Sequence, residues 1–219
     1  MADRTGPVTA DDVLAAVAAS VAALRPVAGG DWSAPAGDVT WTCWETVEHL
    51  ADDLFCYAAQ LGADGYSGYL PVEAAPRYAG SEPNTIRSDP AAGPEGLFAV
   101  LTATAALLAA MVRVTPPTVR AHHTYGPADP EASAAMGVLE TLVHTYDVAR
   151  GLGASWTPDA AVCARVLARL MPEVDRTEDA WADLLWGCGR LELPGRPRRE
   201  HWRWHNASPD HHLPGLSPP

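Results

Sequence analysis

GVLETLVHTYDVARGLG, residues 137–153, decides what kind of molecule this is. Its apolar positions Leu139, Val143 and Tyr146, extended back to Met136, repeat at helical rather than strand spacing. Glu140 and His144 are four residues apart, which puts them about 40° from one another around a helix axis, and Asp147 falls about 20° to the other side of Glu140. A carboxylate, an imidazole and a second carboxylate along an edge bordering the apolar stripe are costly to bury unless something satisfies them. Carboxylate oxygen and imidazole nitrogen suit zinc or a similar divalent ion. An ordinary i,i+4 pair on a helix surface has the same spacing, so spacing alone leaves both readings open.

Outward from this helix, which spans about Pro130 to Arg150 with Gly151 as its stop, the chain continues to read as helices. The first starts at Thr9, a cap with Asp12 three residues on, shows Val13, Val17, Val21 and Leu24 on one side, and ends at Pro26. After a Gly/Pro loop over 26–39, a second follows Thr40 to about Leu61, with Val47, Leu50, Leu54 and Tyr57 in register. Residues 62–93 are turn-rich, and long connections of this kind often cover a site. A third helix, Pro94–Val114, is almost wholly apolar or alanine, which predicts burial on several sides. A fifth begins with Thr157 as cap, Pro158 at the first helical position and Asp159 in the first turn, and ends at Pro172. A sixth covers about Thr177–Cys188. No strand alternation is long enough to build a sheet, so the expected fold is all-α.

Composition narrows the function classes. The 219 residues hold 15 Lys+Arg against 27 Asp+Glu, for a net charge of −12. Every one of those cations is arginine. Such an acidic surface argues against broad nucleic-acid binding and against an anionic membrane face. The N-terminus lacks the basic start of a signal peptide, and Asp11 and Asp12 precede its apolar stretch, which predicts a cytoplasmic protein. Cys43, Cys56, Cys163 and Cys188 are too far apart for a C-x-x-C motif and read as reduced thiols. There is no G-x-S-x-G elbow, Gly-rich phosphate loop or H-E-x-x-H.

A third metal ligand has to come from another helix, and His49 is the obvious residue. Periodicity does not favour it, since His49 sits off the Val47/Leu50/Leu54 stripe, where a lone histidine is usually exposed. Glu45 and Asp52 are its helical neighbours and the expected partners for its second nitrogen. His122 and His123 are adjacent, so at most one of them joins a site in an extended segment, and His211-His212 reads as solvated tail. The run Gly195–Arg203 concentrates four arginines as either a solvated tail or an anion clamp. Trp202 and Trp204 predict that the tail docks.

TVEHLADDLFCYAAQLG (46–62), followed by GVLETLVHTYDVARGLG with its E-x-x-x-H-x-x-D block, resembles the DinB-like family. The likeness is greatest to the metal-binding N-terminal domain of mycothiol-dependent maleylpyruvate isomerases, over roughly residues 9–153. The resemblance implies an up-and-down four-helix bundle over residues 1–153, leaving 154–219 as a helical extension with an Arg/Trp/Pro-rich tail. It implies a divalent metal, zinc above all, held by His49, Glu140 and His144, with Asp147 behind the ligands or handling a proton. It also implies a low-molecular-weight thiol such as actinobacterial mycothiol as co-substrate, and an isomerase or S-transferase acting on a small electrophile. The isomerases carry a further α/β domain with a catalytic arginine, and residues 154–219 offer no matching position. The alternatives are a bundle that binds a small molecule or pairs with a second copy without turnover, and a metal-dependent hydrolase.

Overall fold

The computed structural model describes residues 6–63, 65–81 and 83–206, so His211, His212 and the end of the tail lie outside the described residues. Six α-helices are present among them: α1 (Ala10–Leu24), α2 (Cys43–Leu61), α3 (Gly93–Val114), α4 (Pro130–Leu152), α5 (Ala160–Leu170) and α6 (Ala180–Gly187). The only sheet among the described residues is an antiparallel pair of two-residue strands, β1 (Ala75–Pro76) and β2 (Pro83–Asn84), in the long connection. The all-α expectation therefore holds.

Every α-helix except α3 begins where a side chain satisfies the first free N–H groups. Thr9 and Asp12 form the expected capping box of α1. In α2 the cap is Thr42, two residues later than Thr40, because Thr42 receives the Glu45 N–H while the Glu45 carboxylate accepts the Thr42 N–H at 2.9 Å. The fifth and sixth helices also start later than their sequence cues. Asp159 and Asp179, not Thr157 and Thr177, are the residues whose carboxylates accept the first-turn N–H groups.

The α4 helix runs past Gly151 to Leu152 and ends on Gly153, whose φ of 70° is the left-handed stop. Gly151 is needed for a different reason. A Cβ there would come within 2.5 Å of both Cys43 Sγ and the Pro35 carbonyl oxygen, so a side chain would prevent α4 from passing this close to the start of α2. Gly137 does the same at mid-helix, where a Cβ would meet Leu108 and Leu54.

Packing follows from these stripes. α1 and α2 each pack against both α3 and α4, and α5 packs on α4 and α6. Leu24, Leu50, Leu54, Leu101, Leu108 and Leu139 are fully buried in a core that continues into Leu167, Leu184 and Trp204. Burial of α3 is one-sided, contrary to its composition. Leu97, Leu101, Thr104, Ala105 and Leu108 face inward, whereas Leu107 is 50% and Val114 71% exposed. Alanine fills much of the outer face, so the helix looks apolar throughout while only one stripe meets neighbours. By length and composition α3 is able to cross a membrane, and its inner stripe is spent on the core.

The connection from 62 to 92 is fastened to α2 by buried polar side chains. Glu48 accepts the Ser88 N–H at 2.8 Å and pairs with Arg77. Asp52 accepts the Ile86 N–H at 2.6 Å, and Gln60 bonds Gly68 and Leu70 at its two ends. This lays the loop along the flank of α2 that carries His49.

Candidate metal centre

Glu140 and His144 project from α4 and His49 from α2, and one donor atom from each lies within 4.8 Å of the others. The structure thus brings together the three residues that spacing and resemblance single out. His144 Nε2 is 3.0 Å from Glu140 Oε2, and the His49 and His144 rings meet edge-to-face at 5.4 Å between centroids. Trp41 lies against both rings, at 4.5 Å from His49 and 5.9 Å from His144. His49 lies inward because Trp41 and α4 cover a side of α2 that periodicity reads as solvent. Its side chain is 24% exposed against 8% for His144, so access to the cluster is past His49.

A further set of groups holds the donors. Asp147 Oδ2 is 3.2 Å from His144 Nδ1, which fixes the ring with its other nitrogen toward Glu140. Asp147 in turn receives Arg190, with NH2 at 2.9 Å from Oδ2 and Nε at 3.4 Å from Oδ1. Arg190 is anchored by donating to the Cys188 carbonyl and stacks over Trp202. Behind His49 stands Asp53, with Oδ2 at 3.2 Å from Nε2. The expected partners Glu45 and Asp52 are committed elsewhere, Glu45 to Thr42 and Tyr78 and Asp52 to the loop. Asp53 is the i+4 neighbour of His49, and that spacing was the signal available in sequence. Arg190 had none, since 43 residues separate it from Asp147.

The charges close around a cation. Burial opposes protonation of His144, yet its hydrogen bonds to Asp147 and Glu140, with their charges, raise it to about 9. Burial likewise opposes the positive form of His49, and the Asp53 charge outweighs it and raises the pKa. Burial favours protonated Glu140 and Asp147, but His144 and Arg190, with His49 for Glu140, hold both below their ordinary values. Asp53, with less compensation, is pushed up by burial. Three carboxylates thus face a single guanidinium, and the remaining positive charge comes from two imidazolium protons or from a divalent ion that replaces them. One carboxylate and two imidazoles are a donor set that fits such an ion, with room left in its coordination sphere.

Of two cavities in this part of the molecule, only the first is lined by the three donors. A cleft of about 450 Å³ is lined by His49, Glu140 and His144 together with Trp41, Tyr125, Arg190, Trp202 and Trp204. A second cavity of about 300 Å³ lies on the other side of Asp53, between α2, the 62–92 loop and residues 121–128. His122 and His123 both line this second cavity and join no ligand cluster. In the described part of the tail Trp204 is buried, and the His205 N–H bonds the Leu170 carbonyl at 2.8 Å. Its arginines are largely used internally, Arg196 on the Asp175 carbonyl, Arg198 on Asp38 and Arg199 on the Gly187 carbonyl. Burial and the charges of Asp52 and Asp53 push the Cys56 thiol up to about 12, and burial takes Cys188 to the same value, which disfavours their thiolate forms. All four cysteines are free.

Neither the curated proteins nor the solved structures contain a significant match. The family model described as the mycothiol maleylpyruvate isomerase N-terminal domain matches residues 13–149, which include His49, Asp53, Glu140, His144 and Asp147 and stop short of Arg190. That span is more than half of the chain, and the protein belongs to the mycothiol maleylpyruvate isomerase N-terminal domain family.

Proposed function

We propose that the protein is a metal-dependent enzyme that uses a low-molecular-weight thiol, mycothiol or a close relative, to attack a small electrophile, as an isomerase or S-transferase. Residues 1–153 form the up-and-down four-helix unit of this enzyme, and 154–219 are its extension. The observation that carries the reading is the convergence of His49, Glu140 and His144 to within 4.8 Å on the wall of one cleft, among surplus carboxylates.

His49, Glu140 and His144 hold the ion, most naturally zinc, and a bound ion of this kind supplies the Lewis acidity that keeps a thiol ionised near neutral pH. The rest of the work falls to the chain. Asp147 and Arg190 fix the His144 ring, and Asp53 is the nearby carboxylate available for the thiol proton. Trp41, Trp202 and Trp204 wall the cleft against water. The sulfur lone pair forms a bond to an electrophilic carbon of the substrate. In transfer the leaving group departs with its bonding pair; in isomerisation the attacked carbon belongs to a carbon–carbon double bond conjugated with a carbonyl, the π pair moves onto the carbonyl oxygen, and after rotation about the resulting single bond it returns to re-form the double bond as the thiolate leaves.

Cobalt-substituted protein titrated with mycothiol tests the reading. A new sulfur-to-cobalt charge-transfer band that saturates with thiol is expected. A cobalt spectrum indifferent to thiol would contradict it and favour a bundle without this chemistry.

A further inference from the structure

The metal cleft is one half of a longer trough. A groove of about 470 Å³ opens beside it, and Asp38, Val39, Arg190 and Trp202 line both. Asp147 also lines the groove, and it is the carboxylate 3.2 Å from His144 Nδ1, so the groove begins directly behind a metal donor. The two halves differ in chemistry. Beyond the donors the cleft is walled by Trp41, Tyr125, Leu139, Val143 and Trp204, whereas the groove is walled by Arg198, Arg199 and Glu200.

The far wall of the groove is the work of the extension. Gly189 takes a φ of 65°, and a Cβ there would come within 2.6 Å of the Arg199 carbonyl oxygen and 3.0 Å of the Trp202 ring. A glycine at this turn is therefore what lets the segment from Arg198 to Trp202 lie against it. Arg198 Nε donates to the Gly189 carbonyl and its Nη1 to Asp38 at 3.0 Å, while Arg199 donates to the Gly187 carbonyl. Asp38 receives Arg150 as well.

The charges along the groove balance, with Arg190, Arg198 and Arg199 set against Asp38, Asp147 and Glu200. A carboxylate or phosphate guest gains no net attraction there, so the arginine run is not an anion clamp. Each guanidinium carries five N–H groups, of which the bonds of Arg198 and Arg199 use only some, and the carboxylates add acceptors. A guest that both donates and accepts, through hydroxyls and amides, replaces the water such a surface otherwise holds; an apolar guest strips that water and returns nothing.

We infer that this groove seats the hydrophilic, hydroxyl- and amide-bearing body of the thiol, whose sulfur reaches past Arg190 and Trp202 to the metal donors, and that the tryptophan-walled half is left for the electrophile. The inference rests on the thiol-enzyme reading for the sulfur, while the charge-balanced polar groove stands on its own lining. The wall from Cys188 to Trp202 lies outside residues 13–149, so the choice of thiol body is a property of the extension.

Mycothiol and N-acetylcysteine, a thiol with the hydroxyl-rich body and one without it, are titrated into the cobalt-substituted full-length protein, and the half-saturation of the sulfur-to-cobalt band is read for each. Mycothiol should half-saturate at a concentration at least about tenfold lower, as hydrogen bonds to charged groups imply. Glu200→Trp fills the groove from an exposed position, and Arg198→Gln removes a guanidinium that is 48% exposed. Each should bring the two thiols within about threefold of one another, with cobalt content and helical spectrum unchanged. Mycothiol no tighter than N-acetylcysteine in the native protein, or an advantage that survives both variants, would overturn the inference. If neither thiol gives a band, the thiol reading itself fails, and N-acetylglucosaminyl inositol, the sulfur-free body, decides the groove by calorimetry. Saturable binding that Glu200→Trp weakens about tenfold would keep the seat for a hydroxyl-rich guest, and no binding would overturn it.

Discussion

Residues 13–149 carry every donor of the candidate metal centre, whereas residues 154–206 carry none and still build one wall of its cleft. In the first region the site follows from helix spacing: Glu140 and His144 share a face of α4 because they are four apart, as do His49 and Asp53 on α2. In the second it follows from docking. Trp204 is buried beside Tyr125, and Asn206 receives Arg169 through its carbonyl. The same docked segment sets Trp202 under Arg190, whose guanidinium reaches Asp147. Short i,i+4 spacings on two helices supply the ligands, and a distant segment reaches the groups that orient them.

This division can be broken from either side. Trp204→Ala removes a large buried side chain from the second region and should cost about 3 kcal/mol in urea unfolding. It should also loosen zinc binding if the docked segment matters to the site. A stability loss with zinc affinity unchanged would show that the two regions are energetically separate. Gly151→Ala strikes the first region, where the added methyl meets Cys43 and Pro35. A loss of about 2 kcal/mol is expected in the same unfolding measurement, and no loss would mean that α4 stands further from the start of α2 than described.

Arg190→Met keeps the bulk that packs on Trp202 and removes the charge on Asp147. Zinc affinity should fall about tenfold by competition with a chromophoric chelator, with little change in helical content. An unchanged affinity would reduce Arg190 to a structural contact. The smallest effect expected is on pH dependence. His144 is raised to about 9 in the folded state, so its contribution to the stability of metal-free protein is fully present below its unfolded value of about 6.5 and is lost as pH rises through about 9. The melting temperature of stripped protein should decline over that interval, and His144→Gln should flatten the decline. Equal slopes in the two proteins would remove the imidazolium from the account.

Most of the fold was legible because apolar spacing and end signals are local. The misplaced starts share one cause: the chain offers Thr40, Thr157 and Thr177 as plausible starting points, yet Thr42, Asp159 and Asp179 are the side chains that reach the first free N–H groups. Gly151 looked like a stop, and its real constraint is a contact with residues more than a hundred positions away. The site was legible in part. Glu140, His144 and Asp147 declare themselves by spacing on one helix. His49 does not, because what turns its side of α2 inward is Trp41 and α4 across the cluster, and a single-helix periodicity contains neither. Asp53 was passed over for Asp52, although the i+4 position is the one that reaches an imidazole on the same face. Arg190 and the second cavity depend on long-range packing and left no local trace.

The central claim is that His49, Glu140 and His144 hold a divalent ion. Elemental analysis of tag-free protein prepared without chelators, beside His49→Ala with an unchanged helical spectrum, tests it most directly. The account predicts about one divalent ion per chain in the native protein and none in the variant. Full occupancy in His49→Ala, or none in either protein after reconstitution with zinc, would contradict it and leave Glu140 and His144 as a buried pair closed by a proton.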